Sequence, residues 1–291
     1  MSVRIGTSER DGTFFTQGLA LAAALGGIEV LETPGASVAN AERLDAGTLD
    51  FGFMAANWVP RAIRGEAPFQ RPIALRIVAP MNVGPLFFIV RADSAISAVA
   101  ELDGGRVVFG AERSGMAQHA RVMLDALGIA RVTPVHLDFA AGAAAVEAGT
   151  ADAQLQCPIP NQVMTDLSTR TLIRVLPYDA GLLERLLAAV PYYRRTVMPA
   201  GALRGHDRDT PQAGVLNLLV THARVEERAV GAMTRGIVAH AGSLETLNPL
   251  FRGLLDLIGE LKTRGAARIA GGGAELHPGA AGTYRALGFA P

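Results

Sequence analysis

Lysine is almost missing from this chain: of its 27 Lys and Arg residues only Lys262 is a lysine. A phosphate-cradling Gly-Lys-Ser/Thr loop needs lysine directly after glycine, and Lys262 follows Leu261, which excludes a Walker-type nucleotide enzyme. Schiff-base chemistry would have to use that same residue. Cysteine is as scarce: Cys157 stands alone, so neither an intrachain disulfide nor a thiol-rich zinc cluster can form, and one thiol does not fix the redox compartment. Charge of one sign is absent too, because 27 basic and 27 acidic residues cancel, and no basic run offers itself to nucleic acid or an anionic membrane. No apolar stretch approaches the roughly 18 residues that span a bilayer, which argues against membrane insertion. Met1 to Ile5 run into folded-looking sequence without the regions of a leader.

What is present is enough apolar material for sizeable cores: 291 residues, 49% of them apolar, correspond to about two domains. Val3–Gly6 reads as a short strand ending in glycine, followed by a polar turn through Gly12-Thr13 and an alanine-rich helix from Phe15 to Leu25. Ile28 to Thr33 alternates as a strand, Ser37 opens a second helix that stops at Gly47, and Asp50 to Met54 reads as a third strand.

The same order recurs about a hundred residues later. Strand Arg106 to Phe109, a polar turn to Ser114-Gly115, helix Met116 to Leu127, strand Val132 to Leu137 and a helix ending at Gly149 repeat the first unit. Residues 46–50 and 148–152 share Ala-Gly-Thr-x-Asp, and each block precedes an apolar strand. Two copies of strand-helix-strand-helix-strand imply an α/β protein of two lobes, each a mostly parallel sheet flanked by helices. The apolar run Ile77 to Arg91 leaves the first lobe and Val215 to Val220 returns to it. Residues 1–90 and 213–291 are therefore expected to form lobe I and residues 91–212 lobe II with its crossover, with a ligand cleft between the lobes. The last third reads as helices from Val225 to Ala241 and from Leu250 to Arg264, a flexible break at Gly271-Gly272-Gly273, and a short helix from His277-Pro278-Gly279 to near Leu287.

In such sheets ligands gather at the carboxyl ends of strands, where glycine turns feed helix N-termini. The turns 6–13 and 110–115 each combine hydroxyls, an arginine and open backbone amides, which holds a small anion without lysine. Arg10 and Arg113 are the guanidinium candidates for a forked contact, and the expected ligand is a carboxylate. Either turn could also be polar for backbone reasons alone. Ser37 is either a helix cap or a cleft residue. Asn57-Trp58 and Gln156-Cys157 follow matching strands, which makes Asn57 and Gln156 cleft candidates, whereas Trp58 reads as packing. No residues suggest a metal site or a cofactor, since the six histidines lack ligand spacing. No Gly-x-Ser-x-Gly elbow occurs, and Cys157 reads as a small hydrophobe rather than a nucleophile. No catalytic residues are assigned.

The residues resemble a known family over nearly the whole chain: the TAXI-type solute receptors of TRAP transporters, which have the two-lobed periplasmic binding protein fold of type II. The carriers are Ile5-Gly6-Thr7, Gly12-Thr13-Phe14-Phe15-Thr16-Gln17-Gly18, Gly35-Ala36-Ser37-Val38-Ala39-Asn40, Ala46-Gly47-Thr48-Leu49-Asp50-Phe51-Gly52, Val90 to Ile96, Gly110 to Gly115, Pro191-Tyr192-Tyr193, Pro199-Ala200-Gly201 and Leu276 to Ala280. The resemblance implies capture of a small organic acid or amino acid, such as glutamate or 2-oxoglutarate, and delivery to a membrane permease without chemistry. It places binding roles on Ser8, Thr13, Phe14, Ser37, Asn57, Ser114, Gly115 and Gln156. In the family's glycine-rich first turn glycines stand where this chain has Ser8-Glu9-Arg10-Asp11, and tyrosines where it has Phe14-Phe15, so the ligand is expected to differ. Such receptors are periplasmic once a leader is removed. A native start at Met1 would open a cytoplasmic role instead, as an enzyme such as a decarboxylase of aromatic or organic acids, or as a ligand sensor. That reading needs an acid or base among Glu9, Asp11, Glu112 and His119.

Overall fold

The computed structural model describes residues 2–10, 12–112, 114–179, 181–265 and 274–289. The chain divides into two compact units, Met1–Val83 with Val215–Pro291, and Gly84–Gly214.

The first arm of unit one begins with β1 (Val3–Gly6), α1 (Thr13–Leu25), β2 (Ile28–Leu31), α2 (Ala36–Asp45), β3 (Phe51–Ala55) and α3 (Val59–Arg64), and leads into β4 (Leu75–Arg91). β1 pairs in parallel with β2 and with β3, which puts the carboxyl ends of all three at one edge. Asn40 of α2 staples two of those ends, its Nδ2 donating to the carbonyls of Thr7 at 2.8 Å and Phe53 at 2.9 Å. Glycine is required at position 6 because a Cβ there would overlap the Asn40 amide and the Leu49 side chain. Leu21, Leu44, Phe51 and Phe53 are fully buried, each worth about 1.5–3 kcal/mol on removal from water.

Unit two continues with β5 (Arg106–Val108), α4 (Gly115–Leu127), β6 (Thr133–Val135), α5 (Phe139–Glu147), β7 (Ala153–Gln156), α6 (Gln162–Arg170), β8 (Ile173–Val175), α7 (Leu182–Ala189) and β9 (Tyr193–Met198). β5 pairs in parallel with β6 and β7, as β1 does with β2 and β3. β4 closes this sheet antiparallel to β7. Phe87, Ile89, Val108, Val146, Met164 and Leu167 form its core.

The duplication extends to individual bonds. Asp50 and Asp152, the last letters of the repeated pentapeptide, each take the side chain and backbone N–H of a strand arginine, Arg4 and Arg106. The same guanidinium donates to the carbonyl of the repeated glycine, Gly47 at 3.2 Å and Gly149 at 2.9 Å. Thr48 and Thr150 both return their hydroxyl to a carbonyl five residues back. The pentapeptide is thus a helix-to-strand connector that uses each polar group it carries.

The chain returns on β10 (Thr210–His222), antiparallel to β3, followed by α8 (Glu227–Ala239), α9 (Ala241–Leu247), α10 (Leu254–Arg264) and α11 (Pro278–Ala286). The helix expected from Val225 to Ala241 is shorter, because His240 leaves helical geometry and joins α8 to α9. The helix expected from Leu250 starts at Leu254: Pro249–Phe251 form a single 3-10 turn, and Gly253, with φ 71°, is the cap that α10 needs. Gly271 to Gly273 lie outside the described residues. Tyr284 of α11 is fully buried and donates its hydroxyl to the Val78 carbonyl at 3.0 Å. Among the described residues no helix is long and apolar enough to cross a membrane.

Candidate functional site

The first glycine turn joins β1 to α1. Ser8 is 6% exposed, and its Oγ accepts from the backbone N–H of Phe15, the third residue of α1, at 3.3 Å. A serine seven residues upstream therefore supplies the side-chain acceptor that Gly12, at the N-cap position, lacks, and shares this amide with the Gly12 carbonyl at 3.2 Å. The first two helical amides, of Thr13 and Phe14, have no backbone or side-chain acceptor among the described residues. Phe14 lies against Phe53, with ring centroids 5.3 Å apart and planes 18° from parallel.

The rest of this turn is held by the loop after β2. Thr7 N–H donates to the Leu31 carbonyl and Thr33 N–H to the Ser8 carbonyl, and Glu9 accepts from Gly35 N–H at 3.1 Å. Arg10 pairs with Glu32 at 3.0 Å and lies 5.6 Å from the Phe15 ring centroid. Its side chain is 77% exposed, so this pair adds little stability. The guanidinium is already engaged, and a ligand at Arg10 would have to share it with Glu32.

The second turn repeats the scheme with a different serine. Ser114 is the N-cap of α4, and its Oγ accepts from Ala117 N–H, again the third helical amide, at 3.1 Å. Gly115 and Met116 amides have no acceptor among the described residues. Arg113 and Asp11 lie outside the described residues. Each unit thus presents, at the carboxyl end of a parallel strand, a helix start with a serine on its third amide and two amides without an acceptor among the described residues. Such an N-terminus carries a partial positive charge worth about 0.3–1 kcal/mol to an anion, and up to about 2 kcal/mol when partly buried.

Ser37 is not the cap of α2. The helix starts at Ala36 behind Gly35, whose φ of 87° makes the turn, and Ser37 Oγ accepts from Ala55 N–H at 3.0 Å. Ala36 itself has φ 43°, the one left-handed non-glycine among the described residues, a conformation that costs of order 1 kcal/mol. Asn57 is buried in the turn after β3. Gln156 ends β7 fully buried; its Oε1 accepts from Asn161 at 3.1 Å and its Nε2 has no partner among the described residues. Trp58 packs edge-on to Phe69 with Arg61 over its ring.

The groups that an acid-base mechanism would need are placed poorly for it. His119 is 4% exposed and its Nδ1 meets the Tyr193 hydroxyl at 2.8 Å. Burial lowers it to about 4, so it is neutral at physiological pH. Burial pushes the Cys157 thiol up to about 12, away from the thiolate a nucleophile requires. Glu112 is exposed on its turn. Among the described residues no group of His, Cys, Asp and Glu could hold a metal ion.

Two further buried polar residues are not among the site candidates that the sequence offers. Gln17 of α1 and Asn82 of β4 are joined by a hydrogen bond of 3.1 Å. A lone glutamine inside an alanine-rich helix is a usable signal, but its partner is 65 residues away on an apolar strand and no spacing points to it.

Parallel strands covered by helices, crossed by an antiparallel return strand in each unit, define the α/β fold of type II periplasmic binding proteins. The chain belongs to the NMT1-like family, whose model matches residues 5–288. Among solved structures, the periplasmic aliphatic sulphonate binding protein SsuA from Escherichia coli is similar at a TM-score of 0.55 and 20% identity, over 100% of this chain and 84% of that one. An ancestral arginine-binding protein bound to arginine is similar at TM-score 0.53 and 12% identity, over 85% of this chain and 96% of that one. A histidine kinase sensor domain with similarity to periplasmic binding proteins is similar at TM-score 0.53 and 13% identity, over 87% and 96%. At these identities the likeness concerns the fold.

Proposed function

We propose that the protein is a solute-binding receptor of the TAXI type, which captures a small organic acid or amino-acid carboxylate for a TRAP transporter permease without changing it. The observation that carries this is the matched pair of helix starts. In α1 and α4 a serine hydroxyl occupies the third amide, and the Thr13, Phe14, Gly115 and Met116 amides have no acceptor among the described residues, which suits an anion. SsuA is named for an anion and the ancestral protein for arginine, so this fold accommodates different small solutes. Ser8, Thr13, Phe14, Ser37, Asn57, Ser114, Gly115 and Gln156 are the proposed contacts, with Arg10 and Arg113 as the guanidinium donors. A receptor of this kind works outside the cytoplasm.

A buried neutral His119 and a protonated Cys157 favour binding over catalysis, although the likeness to a sensor domain keeps ligand sensing on the same fold as the second reading. Thermal shift against a panel of organic acids tests the proposal. A binder raises the melting temperature by mass action and is recovered unchanged; turnover to product would instead establish an enzyme. Arg10→Ala and Arg113→Ala should each weaken a carboxylate roughly tenfold or more with little effect on melting of the free protein. Unchanged affinity in both would place the anion elsewhere.

A further inference from the structure

Behind the first turn of α1 lies a pair of amides that the fold leaves half satisfied. Gln17 is fully buried and Asn82 is 5% exposed. Gln17 Nε2 donates to Asn82 Oδ1, and this one bond leaves Gln17 Oε1 and Asn82 Nδ2, both shut off from solvent, without a partner among the described residues. Turning both amides over leaves the same complement, one free acceptor and one free donor. A buried polar group that finds no partner is destabilising, so the pair calls for something that supplies both functions.

Its place in unit one points to the ligand. Gln17 is the fifth residue of α1, one turn below Thr13, and helix side chains lean back toward the N-terminus. The pair therefore stands one turn behind the open amides of Thr13 and Phe14. The duplicated unit offers a comparison: His119 is the fifth residue of α4, is also buried, and also bonds a polar side chain, the Tyr193 hydroxyl. A hydroxyl meets a ring nitrogen there, whereas two amides in unit one leave a donor and an acceptor over.

We propose that Gln17 Oε1 and Asn82 Nδ2 form a specificity subsite for a hydroxyl group, so that the ligand is a hydroxy acid. The inference rests on the receptor reading above, with the carboxylate at the start of α1. A hydroxyl donates to Gln17 Oε1 and accepts from Asn82 Nδ2 through one oxygen. A second carboxylate accepts only and would leave Gln17 orphaned, an ammonium donates only and would leave Asn82 orphaned, and a methylene serves neither.

Calorimetric titration of the whole protein with matched probes tests this: succinate against malate, glutarate against 2-hydroxyglutarate, and propionate against lactate. At least one hydroxy acid should bind about tenfold or more tighter than its parent, because a site built for a hydroxyl rejects the analogue without it. Gln17→Leu and Asn82→Leu should each bring that ratio close to one. Asn82→Asp, which replaces the free donor by an acceptor with almost no change of shape, serves where a leucine variant does not fold, and it should also erase the preference. Parent and hydroxy acids binding wild type equally, as expected if the amide pair holds only a water, would overturn the subsite while leaving the receptor reading intact. A preference that survives the substitutions overturns it as well. If none of these acids binds, the carboxylate-receptor reading falls and this inference with it.

Discussion

Arg106 holds Asp152 with its Nε, its Nη2 and its own backbone N–H, the same three-bond clasp that Arg4 makes with Asp50. Each clasp ties the first residues of a central parallel strand to the connector entering its neighbour. It sits away from the carboxyl ends, where the open helix amides are, and so supports the site through the strands rather than by contact.

Removing the carboxylate should cost stability in both copies, more in unit one, where the pair is less exposed. Asp50→Ala is expected to lower unfolding free energy by about 1–2 kcal/mol, measured by urea denaturation, with Asp152→Ala milder. At Asp50, burial pushes the carboxyl up, but the hydrogen bonds and charge of Arg4 outweigh it and hold it below its ordinary value of 3.8. At Asp152 the Arg106 hydrogen bond dominates in the same direction. The stabilisation is therefore present above pH 3.8 and is lost as pH falls below it through the depressed values. Variants lacking either carboxylate should show a shallower acid limb.

His119 predicts a second, earlier acid effect. Burial lowers it from 6.5 to about 4, so between those values the unfolded chain binds a proton that the folded chain refuses. Stability should fall as pH drops from 6.5 toward 4, by at most on the order of 3 kcal/mol from this residue. His119→Gln should flatten that segment of the stability curve whatever it does to stability at neutral pH. An unchanged slope between pH 6.5 and 4.5 would contradict the placement of a neutral histidine in unit two.

Gly279 lies where α11 crosses α8, and a Cβ there would overlap the Glu227 backbone carbonyl. Backbone cannot yield as a side-chain tip can, so Gly279→Ala should destabilise by about 1–3 kcal/mol. Gly282, one turn on, has open space around its Cβ position, and Gly282→Ala should be neutral or slightly stabilising by helix propensity. Melting temperatures of the two variants moving together would refute the packing described for α11.

Both serines should behave as caps despite their different places in the chain. Ser114→Ala is expected to cost about 1 kcal/mol, since it leaves the Ala117 amide without its acceptor, and Ser8→Ala less, since the Phe15 amide keeps the Gly12 carbonyl at 3.2 Å. Denaturation midpoints give the comparison. A silent Ser114→Ala would mean that this serine does not cap α4.

Much of this architecture was legible in advance, and the reason is local. The pentapeptides at 46–50 and 148–152 share their letters for local reasons: Gly47 and Gly149 turn the chain at φ 76° and 72°, and threonine and aspartate each carry a backbone-directed bond. The alanine-rich helix from Phe15 and the apolar run before Arg91 announced themselves by period and composition. For Ser37 the sequence left a cap and a cleft residue open, because its hydroxyl's partner, the Ala55 N–H, sits on a neighbouring strand. The short strands Ile173–Val175 and Tyr193–Met198 carried no pattern strong enough to read.

By itself the order of residues determined the class of fold, the repeat and the two glycine turns, because hydrophobic period and turn chemistry act over a few residues. Only the tertiary structure decided that Arg10 is paired with Glu32, that His119 is neutral, and that Gln17 and Asn82 face one another with a donor and an acceptor to spare. Those outcomes depend on which groups long chain separations bring within hydrogen-bonding distance and on how much water is excluded around them, and neither quantity is carried by any short stretch of sequence.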